Sequence, residues 1–184
     1  MISTCAYQVG RGLFVASLLA FVAIPTAIHA ADRFDCTIRG MAGGDHLRGT
    51  RGPDVICGLG GPDRIRGFEG DDIVYAGKGD DRVMGGRGAD TLMGGAGRDA
   101  LFGAGGADRV AGQAGADSSI VGGPGPDIVS GGGGADRCLD SDDDEGMDRL
   151  DGGQGRDEYR ADPGDTVVAA ERYRRVLVCE YPVP

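Results

Sequence analysis

Thirteen times between Gly40 and Arg160 an aspartate stands at the sixth place of a glycine-rich stretch of nine residues. Nine of them, Asp45, Asp54, Asp63, Asp72, Asp81, Asp90, Asp99, Asp108 and Asp117, are nine residues apart without a slip. Asp127 and Asp136 follow after one extra residue, and Asp148 and Asp157 after three more. The clearest copies read Gly85-Gly86-Arg87-Gly88-Ala89-Asp90-Thr91-Leu92-Met93 and Gly94-Gly95-Ala96-Gly97-Arg98-Asp99-Ala100-Leu101-Phe102. Glycines let the backbone turn with positive φ and bring carbonyl oxygens inward, and the aspartate adds charge. Such a loop suits a hard cation, and the spacing points to calcium. The candidate ligands are the aspartates from Asp45 to Asp136; the breaks in spacing set Asp148 and Asp157 apart from them.

A period this strict needs a solenoid, because each unit can bury its apolar side only against its neighbours. Two places after the aspartate an aliphatic residue returns: Leu47, Ile56, Ile65, Val74, Val83, Leu92, Leu101 and Val110, then Val129, Leu150 and Tyr159. A flexible polar linker has no reason to keep that phase. Collagen is excluded by the period of nine and the missing regular proline. Each repeat is expected to supply a very short strand centred on its aliphatic residue. Leu47, Ile65, Val83 and Leu101 would stack in one sheet, with Ile56, Val74, Leu92 and Val110 opposite.

These units resemble the hemolysin-type, or repeats-in-toxin, calcium-binding family, whose repeat is Gly-Gly-x-Gly-x-Asp-x-U-x with U a large aliphatic residue. The resemblance covers roughly two thirds of the chain. It implies an all-β fold, a parallel β-roll of right-handed coils with two nonapeptides per coil. It also implies several calcium ions, each between a loop and the loop one coil further on, held by aspartates and glycine-rich carbonyls.

Physical chemistry supports a metal-coupled fold. Carboxylates stacked at the interstrand spacing of about 4.8 Å repel by roughly 1 kcal/mol in water and about 3 at an effective dielectric of 20. A site with a dissociation constant near 10⁻⁴ M would add roughly 1.4 kcal/mol at about 1 mM calcium. Seven loop pairs in the regular array would bring the sum toward roughly 10 kcal/mol. The array is therefore expected to be unfolded without metal. Magnesium, which dehydrates reluctantly, should substitute poorly.

The remaining segments set the expected domains. Residues 1–30 carry no acidic group, and Arg11 precedes the apolar run Leu13 to Ile24 and the tail Thr26-Ala27-Ile28-His29-Ala30. This reads as a secretory signal peptide cleaved after Ala30, with an uncleaved anchor as the alternative. Residues 31–39 form a degenerate starter unit, with Cys36 in the aspartate place and Ile38 in the aliphatic one. The array spans 40–160, and 161–184 form a closing cap with strands at Thr166-Val167-Val168 and Val176-Leu177-Val178. Near the break at Asp117, Ile120 or Val121 takes the inward place; Cys138 falls at the aliphatic slot two after Asp136.

Cys36, Cys57, Cys138 and Cys179 make an even set for an oxidising compartment, with Cys36–Cys57 and Cys138–Cys179 as the local pairing. Zinc is the rival reading, but no CxxC exists and only His46 remains after residue 30. The formal net charge of −10 argues against nucleic acid and anionic membranes as partners. The acidic stretch Asp140–Gly146 fails as an EF-hand, since Glu145 stands where the turn glycine belongs; it is a solvated loop or a weaker calcium site. No HExxH or Gly-x-Ser-x-Gly is present, so an enzyme is not expected. The expected product is a secreted calcium-binding structural or binding module with no membrane span after cleavage. Alternatives are a calcium-dependent adhesin, an envelope-matrix component, or the non-catalytic remnant of a secreted hydrolase or protease.

Overall fold

The computed structural model describes residues 35–141, 146–161 and 163–168. Every regular element among them is a strand. An aliphatic residue flanked by polar ones can bury itself only if the flanking pair turns outward, and the glycine pair that follows lets the chain bend back. Each nonapeptide therefore makes one side of a flattened coil. Numbered along the chain, one sheet holds β1 (Ile38–Arg39), β3 (Val55–Gly60), β5 (Ile73–Lys78) and β7 (Thr91–Ala96). It continues with β9 (Arg109–Ala114), β11 (Ile128–Gly133), β13 (Arg149–Gln154) and β15 (Thr166–Val168). The facing sheet takes the alternate strands β2 (His46–Arg48), β4 (Arg64–Glu69), β6 (Arg82–Arg87) and β8 (Ala100–Gly105). Then come β10 (Ser119–Val121), β12 (Leu139–Asp140) and β14 (Tyr159–Arg160).

All pairing is parallel, and in the regular part residue pairs with residue eighteen further on, as in Val74↔Leu92 and Leu92↔Val110. This is a parallel β-roll with two repeats per coil. Its core is the double row of aliphatic residues, with Ile56, Val74, Leu92, Val110, Val129 and Leu150 facing Ile65, Val83, Leu101, Ile120 and Leu139. Each is fully buried and contributes roughly 1.5–3 kcal/mol. Ile38 packs against one end of the core and Tyr159 against the other.

Three details depart from the sequence reading. Most strands are six residues long rather than very short, because ladder bonds continue past the first glycine, as in Gly77↔Gly95. Ile120 takes the inward place, pairing with Leu101, while Ser118 and Ser119 together oppose Ala100 as a bulge. Cys138 does not occupy the aliphatic slot. Leu139 does, pairing with both Ile120 and Tyr159, because the next coil copies the bulge and Cys138 takes up the extra residue at φ 56°.

Cys36 and Cys57 are bonded, tying the first strand to its neighbour one coil on. Cys138 is also disulfide-bonded; its expected partner Cys179 lies outside the described residues. The expected signal peptide and the strand at Val176–Val178 lie outside them too. The strand expected at Thr166–Val168 is present as β15, beside β13.

Between Leu59 and Gln113 the second place of the repeat has positive φ even where glycine is absent: Leu59 at 80°, Phe68 at 87°, Ala104 at 86° and Gln113 at 77°. An L-residue held there is strained by roughly 1–2 kcal/mol. Replacing Ala104 by glycine removes that strain with little loss of packing. It should stabilise the calcium-loaded chain by about 1 kcal/mol, seen as a higher urea midpoint. A lower midpoint would show the methyl group to matter more than the strain.

Candidate metal centre

The aspartates form two ladders, one along each edge of the roll. In each rung one carboxylate oxygen, Oδ1, accepts the backbone N–H of the aspartate one coil back. One ladder runs Asp45, Asp63, Asp81, Asp99, Asp117, Asp136 and Asp157. The other runs Asp54, Asp72, Asp90, Asp108, Asp127, Asp148 and Asp165. Most rungs are 2.7–2.9 Å long; Asp136 to Asp157 is 3.1 Å. All eleven sequence candidates are therefore in the ladders. So are Asp148 and Asp157, which the broken spacing had set apart.

Asp165 was missed altogether. It stands seventeen residues after Asp148, not eighteen, and lies outside the glycine-rich array. At the other end Thr37 takes the place of the rung's N–H donor: its Oγ1 donates to Asp54 Oδ1 and accepts the Val55 N–H. The one cue for these end caps was their position at the edges of the aliphatic series.

The second oxygen, Oδ2, is the informative one. In Asp63, Asp72, Asp81, Asp90, Asp99, Asp108, Asp117 and Asp136 it is buried and accepts no hydrogen bond. At the ends of the roll it finds a donor: Met41 N–H for Asp45 and Thr50 N–H for Asp54, each at 2.6 Å, and the Ser141 hydroxyl for Asp165 at 2.9 Å. Beside each orphaned oxygen lies the first residue of the repeat, a glycine everywhere except at Asp81, where it is the buried Ala76. A Cβ placed on Gly67, Gly85, Gly94, Gly103 or Gly131 would meet Oδ2 of the aspartate five places on. It would also come within 2.6–2.9 Å of a backbone carbonyl oxygen in the next coil. At these glycines carboxylate and carbonyl oxygens thus crowd one side-chain-free space.

Burial makes this costly. It pushes the carboxyls of Asp90 and Asp99 up to about 7, and those of Asp81, Asp108 and Asp136 up to about 6. The Oδ1 hydrogen bond from one coil back opposes the rise, while neighbouring ladder carboxylates add to it at Asp81, Asp90, Asp99 and Asp136. Asp63, Asp72 and Asp117 rise for the same first reason. A row of buried carboxyls that resists ionising is a row that holds protons or a bound cation.

The donor set is hard oxygen throughout. Among the described residues no three Asp, Glu, His or Cys side chains converge on one point. A cation would therefore draw on at most two carboxylates and complete its shell with backbone carbonyls and water. That composition suits calcium and excludes a thiolate or imidazole metal such as structural zinc.

The model for the RTX calcium-binding nonapeptide repeat matches four times, at residues 39–58, 48–83, 84–118 and 119–139. The chain belongs to the RTX calcium-binding repeat family. The matches together span more than half of its 184 residues. Among curated proteins none matches the chain. RTX repeats bind calcium ions, several per stack, and the orphaned Oδ2 row beside the glycine slots fits that ion. When bound, calcium supplies the positive charge that these oxygens lack. Asp71 and Asp80, which precede their repeat aspartates, have another task. Their Oδ1 atoms accept the N–H groups of Ala89 and Arg98 one coil on, at 2.8 and 2.9 Å, stapling successive RTX loops.

Proposed function

We propose that this chain is an exported calcium-binding repeat protein whose roll folds on calcium outside the cell and serves there as a non-catalytic structural or binding module. The observation that carries the reading is the row of buried, unbonded Oδ2 atoms from Asp63 to Asp117 and at Asp136. Cytosolic calcium is too low to fill sites of the extracellular class, so the compartment decides whether the chain folds. The signal-like segment 1–30 and the Cys36–Cys57 bridge, which needs an oxidising environment, support export.

The proposed ligands are Asp45, Asp54, Asp63, Asp72, Asp81, Asp90, Asp99, Asp108, Asp117, Asp127 and Asp136. To these the ladders add Asp148 and Asp157. Envelope or matrix components are the proposed partners. Isothermal titration of the exported chain is expected to find several calcium ions per molecule in the 10⁻⁴–10⁻³ M range, and little heat with magnesium. One ion or none per chain contradicts the reading, as does retention of the chain inside the producing cell.

A further inference from the structure

The outward positions of the two sheets differ sharply. On the seven-stranded sheet His46, Arg64 and Arg82 pair in register from β2 to β6, and Arg48 pairs with Arg66 beside them. His46, Arg48, Arg64 and Arg82 are exposed and Arg66 is half-buried. The corresponding columns of the eight-stranded sheet hold Val55, Ile73 and Thr91, and Cys57, Tyr75 and Met93. Basic residues in direct register with one another are thus confined to one face and to the first coils, whereas Arg39 and Arg109 on the other sheet stand beside Cys57 and Thr91. The basic columns are not a uniform consequence of an arginine-rich chain.

Like charges in direct register on adjacent strands are unfavourable on their own. No acidic side chain among the described residues pairs with any of these five. They line a groove of about 450 Å³ that ends against Met84 and Phe102. In a chain of net charge −10, this is a cationic stripe with its counter-charge missing.

We propose that this stripe binds a single chain of an anionic polysaccharide. Guanidinium groups grip sulfate or carboxylate through paired N–H donors, and here they recur at the interstrand spacing of about 4.8 Å. The stripe is three residues wide, about 7 Å, which fits one polymer strand lying along the roll axis. Single-stranded nucleic acid wants aromatic platforms for its bases, and no exposed Phe, Tyr or Trp lies in the groove; Phe102 is only 5% exposed. An anionic bilayer would set the acidic remainder of the chain against its own negative surface.

The test uses the full exported chain in calcium-saturated buffer, its fold checked by circular dichroism, with dextran sulfate as the probe. Neutral dextran, single-stranded DNA and anionic phospholipid vesicles are run beside it. Dextran sulfate is expected to bind in a salt-sensitive manner, more tightly than the other three. The double variant Arg64→Glu/Arg82→Glu should weaken it at least tenfold. Arg109→Glu, on the opposite sheet, should change it less than about twofold. Both variants should keep the calcium midpoint of folding, because the substituted side chains point away from the ladders. A folded chain that binds neutral dextran, DNA or vesicles as well as dextran sulfate overturns the proposal, and so does an unchanged affinity in the double variant. A chain that stays unfolded in calcium would overturn this proposal together with the calcium-dependent fold on which it rests.

Discussion

Alanine at Gly94 is expected to lower the melting temperature of the calcium-loaded chain by roughly 6–20 °C. The added methyl would lie against Asp99 Oδ2 and 2.9 Å from the Gly112 carbonyl oxygen. Neither can retreat: Asp99 is held by the Asp81 N–H, and Gly112 belongs to β9, paired on both sides. Overpacking of this kind costs about 1–3 kcal/mol. Loss of the calcium that the loop shares with its neighbours adds roughly 1.4 kcal/mol per site. For a chain of this size about 3–5 kcal/mol corresponds to a drop of roughly 6–20 °C. Gly52 is the control, because a Cβ there meets nothing within 4 Å. Gly52→Ala should move the melting temperature by no more than a few degrees, and by calorimetry the two variants should separate clearly. Equal effects would mean that the first glycine of the repeat is not a reserved space.

Acid is expected to replace calcium. The buried ladder carboxyls have folded-state values of about 6 to 7, well above the ordinary carboxylate range. A raised folded value means that the rolled chain binds more protons than the unfolded one between about pH 4 and pH 7. Their contribution is therefore fully present below about pH 4 and is lost as pH rises through 6 to 7. Even one unit apiece over Asp81, Asp90, Asp99, Asp108 and Asp136 amounts to about 7 kcal/mol, comparable with what calcium supplies. In calcium-stripped buffer the β-signal in circular dichroism should grow as pH falls from 8 to 5. The further gain on adding calcium should shrink in step, because proton and cation compete for the same oxygens. A metal-free chain that stays unfolded across this range, or that folds only as pH rises, would contradict the account.

Much of this molecule is legible in its sequence, and the gaps have physical causes. The nine in-phase aspartates and the aliphatic residues two places on fix the coil length, the two rows of the core and the regular rungs. Asp148 and Asp157 looked detached because spacing counts residues along the chain, whereas a ladder counts coils in space. The extra residues before Asp148 fall between paired strands, and the register resumes at Val129↔Leu150. Cys138 was misplaced because a bulge at Ser118 and Ser119 imposes its extra residue on the next coil, which must pair with it. Asp165 carries no motif of its own and acquires its role by standing beside Asp148. The positive φ at Leu59, Phe68, Ala104 and Gln113 shows the coil overriding local preference at four places where glycine would fit without strain.

The central claim is that calcium folds this chain, and circular dichroism of the purified protein at neutral pH tests it most directly. With excess chelator the spectrum should be that of an unfolded chain. On titration to millimolar calcium it should convert cooperatively to β-structure, and magnesium at the same concentration should not produce the change. A β-rich spectrum that persists unchanged in chelator would contradict the claim, since the Oδ2 row would then be stable with no cation to face.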